Sequence, residues 1–172
     1  MKVRLDAVDW KILSALQSDG RMTNVELARR AGISAPPCLR RVRALEESGI
    51  IEGYRTLLDE KQLGYDLTAF AFVGLKNQTE AELVRFEDNL RAWPIVREAW
   101  MVSGEVDFVL YCIADTLRSF QTFIIETLTA TDNVESVRTS LTIRQSKHEP
   151  RVPVEMRDGG NNGGSGDLAQ AS

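Results

Sequence analysis

Apolar positions in the first fifty residues fall into three amphipathic stretches. Leu5, Val8, Ile12, Leu13 and Leu16 recur at three- and four-residue steps, which predicts a helix closed by Asp19-Gly20. Val25, Leu27, Ala28 and Ala31 predict a shorter second helix, with Thr23 or Asn24 at its start and Gly32 at its end. Ser34 caps a third, running to Glu47 or Ser48. Pro36 and Pro37 are compatible with its first turn, whose amides have no intrahelical partner to lose, and Gly49 is its natural stop. Strand formers follow at 50–58 with Gly53 among them, predicting a short hairpin or wing.

The pattern then changes. Residues 67–75 are an apolar strand, and a helix begins near Glu80 with Leu83, Phe86 and Leu90 on one face. Pro94 breaks that helix. Strands are predicted at 96–102 and 108–114 around the turn Ser103-Gly104-Glu105-Val106-Asp107. A helix carrying Leu117, Phe120, Phe123, Ile124 and Leu128 follows. In the last strand Val137, Thr139, Leu141 and Ile143 alternate with Arg138, Ser140, Thr142 and Arg144. The order βαββαβ is the ferredoxin-like arrangement, with both helices on one side of a sheet. Its other face has no cover within the chain, so self-association is expected.

The fold class is therefore α+β: a winged helix-turn-helix domain (1–58), a linker (59–66) and a ferredoxin-like domain (67–150). A glycine-rich tail (151–172) has five glycines among its last 14 residues and almost no large apolar side chains. It cannot bury enough surface to offset its ordering entropy and is expected to be disordered.

Composition narrows the class of function. With 43% hydrophobic and 27% charged residues the chain reads as globular and soluble. No apolar run approaches the roughly 20 residues of a membrane span. The start lacks a signal peptide, and a cytoplasmic location is expected. The net charge of −4 hides an asymmetry: residues 1–64 carry 11 Lys/Arg against 9 Asp/Glu, the remainder 10 against 16. Only the first part could favour a polyanion. Cys38, Cys112 and His148 offer no disulfide framework or zinc spacing, so no metal is expected. No phosphate loop, cofactor motif or catalytic cluster is present, which argues against an enzyme.

Residues 24–43 read as a helix-turn-helix, with small Ala28 at the helix contact, Gly32 at the turn and Ile33 plugging the angle. On a wheel with Arg40 at zero, Arg41 falls at about 100° and Arg43 at about 300°, while Cys38, Leu39, Val42 and Leu45 fall between about 140° and 260°. Three guanidinium groups are thus expected to point outward. Guanidinium suits phosphate oxygens and guanine edges alike. Candidate DNA-binding residues are Ser34, Ala35, Pro36, Pro37, Arg40, Arg41 and Arg43. Cys38, on the inward arc, is expected to be a core residue, and Trp93, Trp100 and Phe70 to serve packing.

These motifs carry a resemblance. The run 34–46, Ser-Ala-Pro-Pro-Cys-Leu-Arg-Arg-Val-Arg-Ala-Leu-Glu, is similar to the recognition helix of the Lrp/AsnC (leucine-responsive, feast–famine) transcription regulators. Ile50-Ile51-Glu52-Gly53-Tyr54 resembles the segment after it, and Val102-Ser103-Gly104-Glu105-Val106-Asp107-Phe108 resembles the family's Gly-x-x-Asp effector turn. The likeness runs from about Leu5 to Lys147, and its local contexts are closest to the leucine-responsive branch. It implies a regulator of transcription that binds double-stranded DNA, forms dimers that assemble into tetramers or octamers, and answers to an amino acid such as leucine. It also implies an effector site between dimers at Gly104, Glu105, Val106 and Asp107, with Thr139 and Leu141 on the final strand. A turn containing glycine lets a carboxylate approach backbone amides, and Asp107 could hold an ammonium group or could satisfy amides in its own turn. An architectural DNA-binding protein without effector, or an enzyme on a dimeric ferredoxin-like fold, are the alternatives.

Overall fold

The computed structural model describes residues 4–149 and 152–154. They form two compact units, one made by the residues up to Thr56 with those from His148 onward, the other Leu57–Lys147. The tail expectation falls, apart from 152–154, outside the described residues.

The first unit is three helices, α1 (Ala7–Ser18), α2 (Asn24–Ala31) and α3 (Ala35–Glu47). Asp6 caps α1 through the amides of Val8 and Asp9, and Asp9 returns the bond to the Asp6 amide, a complete capping box. Gly32, at φ 74°, supplies the left-handed residue that turns α2 into α3. Ile12, Leu27, Ala28, Ala31, Cys38 and Leu45 make the core where the three helices meet. Ser34 sits at the cap position of α3, yet its side chain makes no capping bond. The reason is local: a cap accepts from the second or third amide of the helix, and here both belong to proline.

Residues 50–58 carry no strand, so the hairpin expected there is absent. The segment is instead held to its own unit from one end: the Tyr54 hydroxyl donates to Glu46 Oε1 at 2.9 Å. Part of the expected linker is ordered as a 3-10 turn, Lys61–Leu63.

The second unit is an antiparallel sheet of β1 (Leu67–Leu75), β2 (Val96–Met101), β3 (Phe108–Ala114) and β4 (Val134–Leu141) in the order β2-β3-β1-β4. Helices α4 (Glu80–Ala92) and α5 (Leu117–Thr122) pack on one face, and α5 widens into a π-helical stretch at Phe123–Leu128. Ala69, Ala71, Val73 and Leu75 alternate along β1 toward that core, the first three opposite Cys112, Leu110 and Phe108 of β3. Phe86, Phe120, Phe123 and Leu128 cover them. Trp93 packs edge-on against Phe86 and Phe123, whereas Trp100 stays exposed.

The other face presents Phe70, Phe72, Val109, Tyr111 and Ile113, all half-buried. Two expectations need correction. Leu117 is exposed and does not face the core. The last strand starts and stops three residues early, because its pairing ends at Ala69 opposite Leu141, near the start of β1. Ile143 therefore lies beyond the sheet, fully exposed. No helix among the described residues is long and apolar enough to cross a membrane.

Candidate nucleic-acid interface and effector turn

Helix α3 has a buried arc and an exposed one, but their edges differ from the wheel reading. Cys38 and Leu45 are buried, and burial pushes the Cys38 thiol up from its ordinary pKa. The exposed arc is a shallow groove lined by Pro36, Leu39, Arg40, Arg43, Ala44 and Glu47. On the same wheel these span about 260° through zero to about 40°. Leu39, expected inward, is 40% exposed and belongs to this stripe.

Arg41 lies at about 100°, off the stripe, and the expectation that it points outward is corrected. Its Nη1 donates to Asp6 Oδ2 at 2.8 Å and to Asp9 Oδ1 at 2.7 Å. The remaining oxygens, Asp6 Oδ1 and Asp9 Oδ2, are those of the α1 capping box. The Asp6 carboxyl is held below its usual range by the Asp9 amide first; burial opposes this, and Arg41 adds to the lowering. Distance along the chain hid this pairing, since 35 and 32 residues separate the partners.

The sequence offers Asn24 only as a possible cap for α2. In the structure its Nδ2 donates to the Ala35 carbonyl at 2.9 Å, tying the first residue of α2 to the first of α3, while its Oδ1 is buried without a partner. On α2, Glu26 pairs with Arg29 and Arg30, which hold its carboxyl at about 2. These exposed pairs contribute little to stability.

In the second unit Gly104 sits at φ 131°, a conformation that L side chains rarely adopt, and no atom would meet a Cβ there. Asp107 does more than close its own turn. Its carbonyl accepts from the Val102 amide at 2.9 Å, its amide donates to the Val73 carbonyl at 2.9 Å, and its Oδ2 accepts from the Leu75 amide at 2.6 Å. Glu105 reaches Arg138 of β4 at 3.4 Å, an exposed pair. Val106 is half-buried. Thr139 and Leu141 stand opposite Ala71 and Ala69, on the helix side of the sheet, while Arg138 stands opposite Phe72 on the open side. Thr139 and Leu141 thus lie on the sheet face opposite to Arg138, the residue that Glu105 reaches.

Residues 5–52 match the family model for winged helix-turn-helix DNA-binding, and residues 68–152 match the Lrp/AsnC ligand binding domain. The chain belongs to the Lrp/AsnC family. It is a DNA-binding transcription regulator with a ligand-binding domain, of α+β fold, and its relatives are named as regulators and not as enzymes. It is 63% identical over 154 residues to the leucine-responsive regulatory protein of Rhizobium meliloti (strain 1021), covering 90% of this chain and 99% of that one. Among solved structures of the family, a transcriptional regulator from Neisseria meningitidis in complex with L-Met superposes with a TM-score of 0.84 at 34% identity, over 88% of this chain and 97% of that one. AsnC of E. coli gives 0.79 at 25% identity, over 89% and 100%.

Proposed function

We propose that this regulator contacts duplex DNA through the exposed stripe of α3, and that an amino acid bound at the Gly104–Asp107 turn of an assembled oligomer modulates that contact. The carrying observation is that Arg40 and Arg43 share an exposed arc with Pro36, opposite buried Cys38 and Leu45. One arc holds the helix in the domain while the other is left for the groove. The Ser34 hydroxyl, not spent on a cap, stands with Ala35, Pro36 and Pro37 at the N-terminal end of α3, the end that reads base edges in helix-turn-helix proteins. The effector reading rests on the Gly104 conformation, on the half-buried carboxylate of Asp107 and on the L-Met complex of the Neisseria relative. Thr139 and Leu141 join such a site only if a second copy brings its turn to them.

Arg40→Ala and Arg43→Ala in a salt series test the DNA half. Each lost phosphate contact lowers affinity and flattens the salt dependence by about 0.9 in log–log slope. Unchanged isotherms for both would refute it. A thermal-shift screen of the amino acids, with and without DNA, tests the effector half. The architectural alternative expects no response to any of them.

A further inference from the structure

We infer that Arg41 is a positioning residue: clasped by Asp6 and Asp9, it sets how α3 is presented to the bases and does not itself contact a phosphate. The inference rests on the reading that the exposed stripe of α3 contacts DNA.

Three observations lead to it. The first is the division of oxygens. Asp6 and Asp9 each use one oxygen to cap α1 and the other to hold the same Nη1 of Arg41. The cap of α1 and the seat of α3 therefore share the same two carboxylates, and turning α3 about its axis would break the two Arg41 bonds that join them. The second is charge. Two carboxylates around one guanidinium leave this spot with excess negative charge, which repels a phosphate, whereas Arg40 and Arg43 lie on the exposed arc. The third is that α3 lacks the usual means of fixing its own start. Ser34 makes no cap, and the first residue is held instead by Asn24 through the Ala35 carbonyl. Asn24 at the start and Arg41 at mid-helix fix α3 from two sides, outside the apolar core.

Positioning, phosphate contact and simple stabilisation predict different results. The probes are the duplex most enriched by the wild-type protein from a random-sequence library and, for non-specific binding, poly(dI-dC). The variants are Arg41→Gln, Asp9→Asn and the double variant, assayed well below their melting temperatures, with Arg40→Ala as the control. Asp9→Asn keeps an oxygen for the Asp6 amide and puts an amide NH2 where the oxygen faced Arg41, removing both the charge and the acceptor there. The expected result is a roughly tenfold loss of affinity for the enriched duplex in Arg41→Gln, a smaller loss in Asp9→Asn, which leaves the bond to Asp6, and no loss in the double beyond that of Arg41→Gln, because without Arg41 the Asp9 charge has nothing to hold. Affinity for poly(dI-dC) and the salt slope stay at wild-type values.

Equal losses on both DNAs with a flatter slope in Arg41→Gln overturn the inference in favour of a phosphate contact. So does tighter binding by Asp9→Asn, which would mean a released guanidinium. Wild-type affinity in folded Arg41→Gln overturns it in favour of plain stabilisation. Failure of Arg40→Ala to weaken binding strikes the underlying reading of the stripe, and is thereby separable from failure of the Arg41 assignment.

Discussion

The Asp107 carboxylate accepts a hydrogen bond from the Leu75 backbone amide at 2.6 Å, across 32 residues of chain. Leu75 is the last residue of β1 and is almost fully buried. The turn that the proposed effector meets is thus bolted to β1, one of the two central strands of the sheet, so a ligand that moves Asp107 pulls on the end of β1.

Two substitutions at Asp107 separate its roles. Asp107→Ala removes the acceptor and leaves the Leu75 amide unpaired, at a cost of about 1–3 kcal/mol measured by urea unfolding without ligand. Asp107→Asn retains an oxygen for that amide and keeps most of the stability. If the carboxylate also pairs an ammonium, Asp107→Asn lowers amino-acid affinity by about ten- to more than a hundredfold, as calorimetry would read. Equal affinities in wild type and Asp107→Asn would end the charge-pairing role while leaving the structural one intact.

Gly104 should resist substitution for a backbone reason. A Cβ there meets nothing within 4 Å, so space is not the constraint; the φ of 131° is. Gly104→Ala is expected to destabilise by about 1–3 kcal/mol, or to rearrange the turn and weaken ligand binding. Gly74 presents the reverse case, with ordinary φ but a Cβ that would lie 2.7 Å from Ser136 Oγ, a contact that rotation of a serine can relieve. Urea midpoints for the two alanine variants should therefore rank Gly104→Ala as the less stable.

What was legible in the sequence was what periodicity and punctuation control. Residues 67–75 and 108–114 are strands to the residue, because each apolar run is bounded by turn chemistry. Helix α3 ends at Glu47 because Gly49 follows in the left-handed region. The misses share a cause: they depend on partners distant in sequence. Residues 50–58 have strand composition but no ladder partner in their unit. The alternation of β4 continues to Ile143, while pairing with β1 does not. The outward facing of Arg41 failed because a helical wheel knows nothing of Asp6 and Asp9. Motif likeness found the turn at Gly104–Asp107, yet nothing local to that turn pointed to Leu75.

Tyr54 gives the first unit an alkaline limit. Burial and then the bond to the Glu46 carboxylate push its phenol up to about 12, above the ordinary value near 10. A folded pKa above the unfolded one means stability fully present below about 10 and lost progressively as pH rises through about 12. Tyr54→Phe should remove that part of the alkaline decline while changing stability little at neutral pH, since the ring is half exposed. Urea unfolding of both proteins on either side of pH ~10 is the measurement. An identical alkaline decline in the variant would show that Tyr54 does not set it.

The apolar sheet face turned away from the helices makes the strongest demand on assembly. Phe70 and Tyr111 lie with ring centroids 5.5 Å apart, and Phe72, Val109 and Ile113 extend the patch. All are half-buried. Contiguous apolar surface of this kind on a soluble domain marks an interface, and a two-fold axis covers it with an identical copy. The wild-type protein should therefore be at least dimeric at micromolar concentration by light scattering. Phe70→Glu sets a carboxylate from each protomer into the joint, where two unpaired like charges would be desolvated together. That variant should keep its secondary structure by circular dichroism, because Phe70 points away from the core formed by Ala69 and Ala71. Its assembly should fall to smaller species. DNA affinity should fall with it, because two recognition helices about one DNA turn apart bind with an effective concentration that a lone helix lacks. A folded Phe70→Glu protein with wild-type mass would locate the interface elsewhere, and a monomeric wild type would refute the dimer altogether.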